Sequence, residues 1–156
     1  YNPNITENSE YTKRSDELMR LIEELPHDGD FKFIDGGYEP EKFTAIAKGL
    51  ETEPEGGERC FKCYRLRLEE SARVAKENNF DYFTTTLSIS PHKNAQVLNE
   101  TGKELSDIYD VGYLFSDFKK RNGYKRSCEL SEIYHLYRQD YCGCIYSKKE
   151  RERNEH

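Results

Sequence analysis

Stretches with helical spacing alternate along this chain with very short apolar segments, and that alternation constrains the fold more than any other feature. Ser9 to Leu25 carries Leu18, Leu21, Ile22 and Leu25 at helical spacing, and Pro26 ends the run. Phe31-Lys32-Phe33-Ile34 reads as a short strand closed by Asp35-Gly36-Gly37. Pro40 to Leu50 is a second helix with Phe43, Ile46, Ala47 and Leu50 on one face. Cys63 to Asn78 is helical again, and Tyr82 to Leu87 is aromatic and β-branched, as a buried strand should be. Ser90-Pro91 opens a helix that reaches Leu105, with Pro91 in its first turn. Tyr113-Leu114-Phe115 reads as a third short strand, and Tyr124 to Leu136 as the last helix. Strands alternating with helices imply parallel pairing through crossovers. The expectation is an α/β chain, a Rossmann-like three-layer domain with a mostly parallel sheet. It covers residues 1–147, and the charged residues 148–156 form a solvated tail.

A chain of 156 residues suffices for one domain. Only 35% of its residues are hydrophobic, so the 12 Tyr and 8 Phe must supply much of the apolar bulk of the core. No apolar run is long enough to span a membrane, and no secretory segment is present. A net charge of −6 argues against a broadly basic nucleic-acid binder, though not against one local basic patch. The chain opens on Tyr1 and its only Met is Met19, so residues are expected to precede Tyr1.

The cysteines carry the chemistry. Cys60-Phe61-Lys62-Cys63 is a CxxC and Cys142-Gly143-Cys144 a CxC, which leaves Cys128 alone among five. A CxxC places two thiolates on one metal or cluster, or forms a redox disulfide. Two bland alternatives stand beside this, half a zinc site or incidental buried thiols. A CxC disulfide closes a very small ring and should be easily reduced. The alternative there is a pair of small apolar side chains under a loop. Cys128 lies in a helical stretch and reads as core filler. An odd cysteine count without a disulfide framework fits a reducing cytosol, hence a cytoplasmic location.

Ligands of open α/β sheets bind beyond the carboxyl ends of the strands. Three polar stretches should therefore meet, namely Asn2–Asn4, Ser88–Asn94 and Asp117–Lys120. Cys60 and Cys63 sit at a loop-to-helix junction, where a helix N-terminus stabilises thiolates. His92 is a candidate donor or acid, or a plain surface group. Lys119, Lys120, Arg121, Lys125 and Arg126 form a basic run with Phe118 and Tyr124 interleaved. It suits a tRNA backbone contact, with an ordinary solvated surface as the alternative. Arg138 precedes the CxC and is a weaker substrate candidate, alongside Lys93.

The strings YNPNI (1–5), EGGERCFKCYRLRL (55–68), FTTTLSISPHKN (83–94), DFKK (117–120), GYKRS (123–127) and YRQDYCGCIYS (137–147) occur in this order. Together they resemble the cobalamin-independent epoxyqueuosine reductase family, QueH, from Tyr1 to Ser147. The resemblance implies an oxidoreductase that removes the epoxide oxygen from epoxyqueuosine at the tRNA wobble position, the last step of queuosine synthesis. It implies a [4Fe-4S] cluster with Cys60 and Cys63 as two ligands, and a redox-active pair in Cys142 and Cys144. An adjacent metal ion is a further candidate cofactor. The partners implied are tRNA carrying epoxyqueuosine and an external electron or thiol donor, with no membrane. The family's other two cluster ligands come from an adjacent Cys-Cys near the N-terminus, which this chain lacks. Two rival readings remain: a metal-free thiol–disulfide oxidoreductase, and a cluster-stabilised tRNA-binding module.

Overall fold

Helix α3, Glu58–Glu77, is the longest element and the one against which the core assembles. Gly57 provides an extended N-cap, Glu58 places a negative charge in the first turn and Lys76 a positive one in the last, each matching the helix dipole. Its buried face runs through Cys60, Tyr64, Leu68, Ala72 and Ala75, steps of four and three that keep one stripe inward. The computed structural model describes residues 1–154; the side chain of Asn154 is not described.

Preceding α3 are α1 (Asn8–Glu24) and α2 (Pro40–Ala47). Following it come β1 (Tyr82–Phe83), a 3-10 turn over Thr86–Ile89, α4 (Ala95–Tyr109), β2 (Gly112–Tyr113), α5 (Gly123–Ile133) and α6 (Ile145–Asn154). Strands β1 and β2 pair in parallel, Tyr82 with Gly112 and Phe83 with Tyr113, and α4 is the crossover between them. Leu98 and Leu105 of α4 share a buried cluster with Leu68 and Ala72 of α3, Phe83 and Tyr113 close it from the strand side, and the buried Gly102 faces the Tyr113 ring. A smaller apolar cluster joins Phe43 and Ala47 of α2 to Cys63 and Cys144. Among the described residues no helix is long and apolar enough to cross a membrane.

The chain is thus mixed α/β with a parallel β-α-β unit. The three-layer Rossmann-like sheet expected above does not appear; two strands of two residues each form the sheet among the described residues. Phe31–Ile34 is not a strand. With no ladder partner, its backbone is irregular, and Phe31 and Ile34 face solvent. The expected strand through Leu87 stops at Phe83, because the Thr85 hydroxyl accepts the Leu87 N–H and turns the chain into the 3-10 segment. Helix α4 begins at Ala95 rather than near Pro91, since the Asn94 side chain caps it by accepting from both Gln96 N–H and Val97 N–H. Ser88, in the polar Ser88–Asn94 stretch, is buried, beside Ser116 Oγ and accepting the Phe118 N–H. Cys128 is only half-buried on α5, a helix with no buried residue, so it is not core filler.

The charged stretch expected as a tail from residue 148 lies largely within α6. Charge rather than apolar periodicity holds it: Lys148 pairs with Glu7, and Arg151 with Asp140 at 2.6 Å. Glu155 and His156 of that expected tail lie outside the described residues.

Candidate functional site

Four of the five cysteines line one cavity of about 690 Å³: Cys60, Cys63, Cys142 and Cys144. Its walls come from the N-terminal turn (Asn2, Asn4), from α1 (Arg14), from the start of α3 (Arg59, Tyr64, Arg67), from Ser90–Lys93 and from the segment leading into α6. Cys60 and Cys63 lie three residues apart in the first turns of α3, a spacing that aims both thiols the same way. The Gly56 N–H already points at Cys60 Sγ, 3.3 Å away.

The CxC is held from the opposite wall. Gly143 has a φ of +107°, and a Cβ there would lie 2.8 Å from Ile5 Cγ1, so only glycine fits this turn. Thr6 N–H and Thr6 Oγ1 donate to Gly143 O at 3.1 and 3.2 Å. Asn4 Nδ2 donates to Cys142 O at 2.9 Å, and Arg14 to the carbonyls of Cys142 and Tyr141 at 3.2 Å each. The result is a sulfur–sulfur contact of 3.4 Å between Cys142 and Cys144. With its Nδ2 so engaged, Asn4 leaves a buried Oδ1 with no hydrogen-bond partner.

The two pairs differ electrostatically. Burial pushes the Cys60 thiol up and the Cys63 thiol up to about 12, in both cases outweighing nearby positive charge. Helix-terminus stabilisation of thiolates, expected from the sequence, therefore loses to desolvation. In the CxC, the hydrogen bond from Cys144 pulls Cys142 down against burial, with help from the Lys93 charge. The same hydrogen bond, and then burial, pushes Cys144 up. The two thiols shift together, Cys142 down and Cys144 up, and titrate as a pair rather than as separate groups. Burial would lower the Lys93 ammonium, but Cys142 and the Glu55 carboxylate raise it instead.

Of the residues singled out in the sequence, His92 and Lys93 line the cavity with the four cysteines. The Asp117–Lys120 stretch does not join them; Lys119 reaches only the Lys93 carbonyl, at 3.4 Å, and pairs with Asp117 at 2.9 Å. Lys120, Arg121, Lys125 and Arg126 are exposed and line no part of the cavity, and Arg138 bonds Ser131 Oγ outside it. Sequence reasoning missed Arg14, Glu55, Arg67 and Ser147. Arg67 was findable, being four residues beyond Cys63 and hence on the same helix face. Glu55 and Ser147 carry no such local signal, because a long-range contact brings them together.

A thiolate-ligated cluster takes four soft donors. Cys60 and Cys63 fit two of those positions, and the Gly56 N–H is the kind of hydrogen bond that cluster cysteines accept. Among the described residues no group of three or more His, Cys, Asp or Glu is set to hold a metal ion, so this half-set is what the structure offers.

Residues 1–150 match the family described as "Epoxyqueuosine reductase QueH". The chain is 45% identical over 150 residues to an epoxyqueuosine reductase QueH of Staphylococcus epidermidis, covering 94% of this chain and 63% of that protein. It is 43% identical to the one of Streptococcus pyogenes, covering 95% of this chain and 59% of the relative. With the one of Thermotoga maritima the identity is 34%, covering 97% and 78%. The chain therefore spans about three-fifths of the length of the first two relatives. On these matches, the chain belongs to the epoxyqueuosine reductase QueH family.

Proposed function

We propose that this protein reduces the epoxide of epoxyqueuosine in tRNA to the alkene of queuosine. The observation that carries the reading is the meeting of both cysteine pairs, from motifs about eighty residues apart, on one cavity. The names of the relatives supply the substrate.

Converting an epoxide to an alkene consumes two electrons and two protons and releases the oxygen as water. The Cys142–Cys144 pair holds that currency. One S–S bond forms and two electrons leave, and the two protons that carry the departing oxygen off as water come from the dithiol, or from solvent where a thiol is already ionised. Lys93 keeps positive charge beside Cys142 and favours its anionic form. An external thiol or electron donor then reopens the disulfide. Cys60 and Cys63 would hold a [4Fe-4S] cluster, which supplies single-electron steps when bound. The basic run Lys119, Lys120, Arg121, Lys125 and Arg126 lies outside the cavity and suits the phosphate backbone of the tRNA, leaving the modified base to enter. His92 and Lys93 at the cavity wall then face the base, with Arg138 beyond them.

The test mixes anaerobic, reduced protein with epoxyqueuosine-containing tRNA, without added reductant. Queuosine is counted by nucleoside mass spectrometry, and free thiols by alkylation. Queuosine should appear in step with a Cys142–Cys144 disulfide, and in a second assay with excess reductant supplied, Cys142→Ser or Cys144→Ser should lose nearly all multiple turnover. Product that accumulates while both thiols stay free would remove the pair from the electron path. An unchanged tRNA pool would remove the activity.

A further inference from the structure

We propose that Ser147 is the positioning residue of the Cys142–Gly143–Cys144 turn, locked in that role by Glu55 and Lys93. The inference rests on the redox reading of the cysteine pair given above.

Ser147 is buried, 5% exposed, in the first turn of α6. It touches both cysteines. Its hydroxyl oxygen accepts the Cys142 N–H at 3.3 Å, and its own N–H donates to Cys144 Sγ at 3.4 Å. The same hydroxyl donates to Glu55 Oε2 at 3.2 Å. A carboxylate accepts only, so it fixes which way the hydroxyl proton points and leaves an oxygen lone pair for Cys142. Glu55 is fixed in turn by Lys93, whose ammonium lies 2.8 Å from the carboxylate on a side chain only 9% exposed. Glu55 belongs to the loop ahead of Cys60, and Lys93 to the segment ahead of α4. One chain of polar contacts thus joins the CxxC loop, the Ser90–Lys93 wall and the CxC turn.

This arrangement bears on redox balance. When the pair is oxidised, Cys142 and Cys144 lose two electrons and two protons and gain one S–S bond; glutathione disulfide accepts both and becomes two glutathione thiols. The disulfide constrains the turn by itself. The dithiol is constrained only by its hydrogen bonds, so Ser147 removes freedom chiefly from the reduced form and favours closure. Loss of the hydroxyl should lower the equilibrium constant for disulfide formation roughly tenfold, which for a two-electron couple is a potential about 30 mV less negative.

The experiment equilibrates the whole chain anaerobically across glutathione redox buffers and quantifies the Cys142–Cys144 disulfide by acid quench, alkylation and mass spectrometry. Ser147→Ala should shift the midpoint by the tenfold factor. Ser147→Thr, which restores the hydroxyl, should return it to within about twofold of the parent, a rescue that lost packing alone would not give. Glu55→Gln, which keeps the shape but frees the hydroxyl's orientation, should lower the constant about threefold. A Ser147→Ala midpoint equal to the parent's overturns the positioning role and leaves the redox reading standing. A parent protein that forms no disulfide in any buffer overturns both. If circular dichroism shows Ser147→Ala to be unfolded, Glu55→Gln decides, and a midpoint unchanged from the parent overturns the proposal.

Discussion

Glu55 and Lys93 show how one ion pair behaves when most of it is out of water. Burial pushes the Glu55 carboxyl up, but the hydrogen bond and charge of Lys93, with the Ser147 hydroxyl, outweigh it and hold Glu55 below its usual range. A carboxylate depressed in the folded state adds stability above its ordinary pKa, and that stability is lost as pH falls through the folded value. Lys93, raised in the folded state, adds stability that is complete below its ordinary 10.5 and fades only above it. The pair therefore contributes fully at neutral pH and loses its contribution on the acid side first. Glu55→Gln removes one of the two negative groups that hold the buried Lys93 ammonium, Cys142 being the other, and should cost about 1–3 kcal/mol at pH 7, less than for a fully enclosed pair because Glu55 keeps partial access to solvent. Urea unfolding at pH 7 and pH 3 checks this. The difference between variant and parent should shrink at pH 3, where the parent's carboxyl is itself taking up its proton. A difference of equal size at both values would show that the pair's charge contributes nothing.

Among the elements, α4 and β2 meet where a side chain is missing. A Cβ on Gly102 would lie 2.2 Å from the Tyr113 ring, so the helix approaches the strand only because residue 102 is glycine. Gly102→Ala gains helix propensity but overpacks the core, and should destabilise by about 2–3 kcal/mol in urea melts. Adding Tyr113→Leu should recover part of that loss, whereas no recovery would place the cause in the helix itself. The same elements show what was legible in the sequence. Helices α1 and α2 were readable because apolar residues recur at helical spacing, α3 because Leu68, Ala72 and Ala75 continue a stripe, and α4 from Ser90-Pro91, which marked its existence but put its start too early. Two of the three expected strands were readable as places but not as lengths, and Phe31–Ile34, an apolar run with no strand to pair with among the described residues, was not a strand. Aromatic, β-branched residues mark Phe83 and Tyr113, but the ladder ends where Thr85 turns the chain and where no further strand pairs. Helix α6 was not readable, because partners distant in sequence such as Glu7 hold it rather than an apolar face of its own. Within the cavity the cysteines were readable from spacing alone. Glu55 and Ser147 were not, since their contact spans 92 residues of sequence.

At the scale of the whole chain, a net charge of −6 repels a polyanion, so the tRNA contact proposed above needs a local basic face. The run from Lys119 to Arg126 offers that face, yet its charges are unequally free. Asp117 holds Lys119 at 2.9 Å and Lys120 at 3.5 Å, and Glu129 holds Arg126 at 3.1 Å. Arg121 and Lys125 are exposed and make no ion pair among the described residues. A cation that already has a carboxylate neighbour releases fewer counter-ions from tRNA than a free one, because part of its charge is spoken for. If tRNA docks here, Arg121 and Lys125 should dominate the salt dependence. Replacing both by Gln should lower the slope of log affinity against log salt by about 1.4–1.8, two phosphate contacts at roughly 0.7–0.9 each. Lys119→Gln should change it by less than half of one contact, since that side chain is turned inward to Asp117 and the Lys93 carbonyl. The measurement is a filter-binding or anisotropy titration with tRNA between 50 and about 200 mM salt. Equal slopes for the double variant and the parent would return this face to ordinary solvated surface and move the tRNA contact elsewhere. A larger effect from Lys119 than from Arg121 and Lys125 would mean that the Asp117 pair opens on binding.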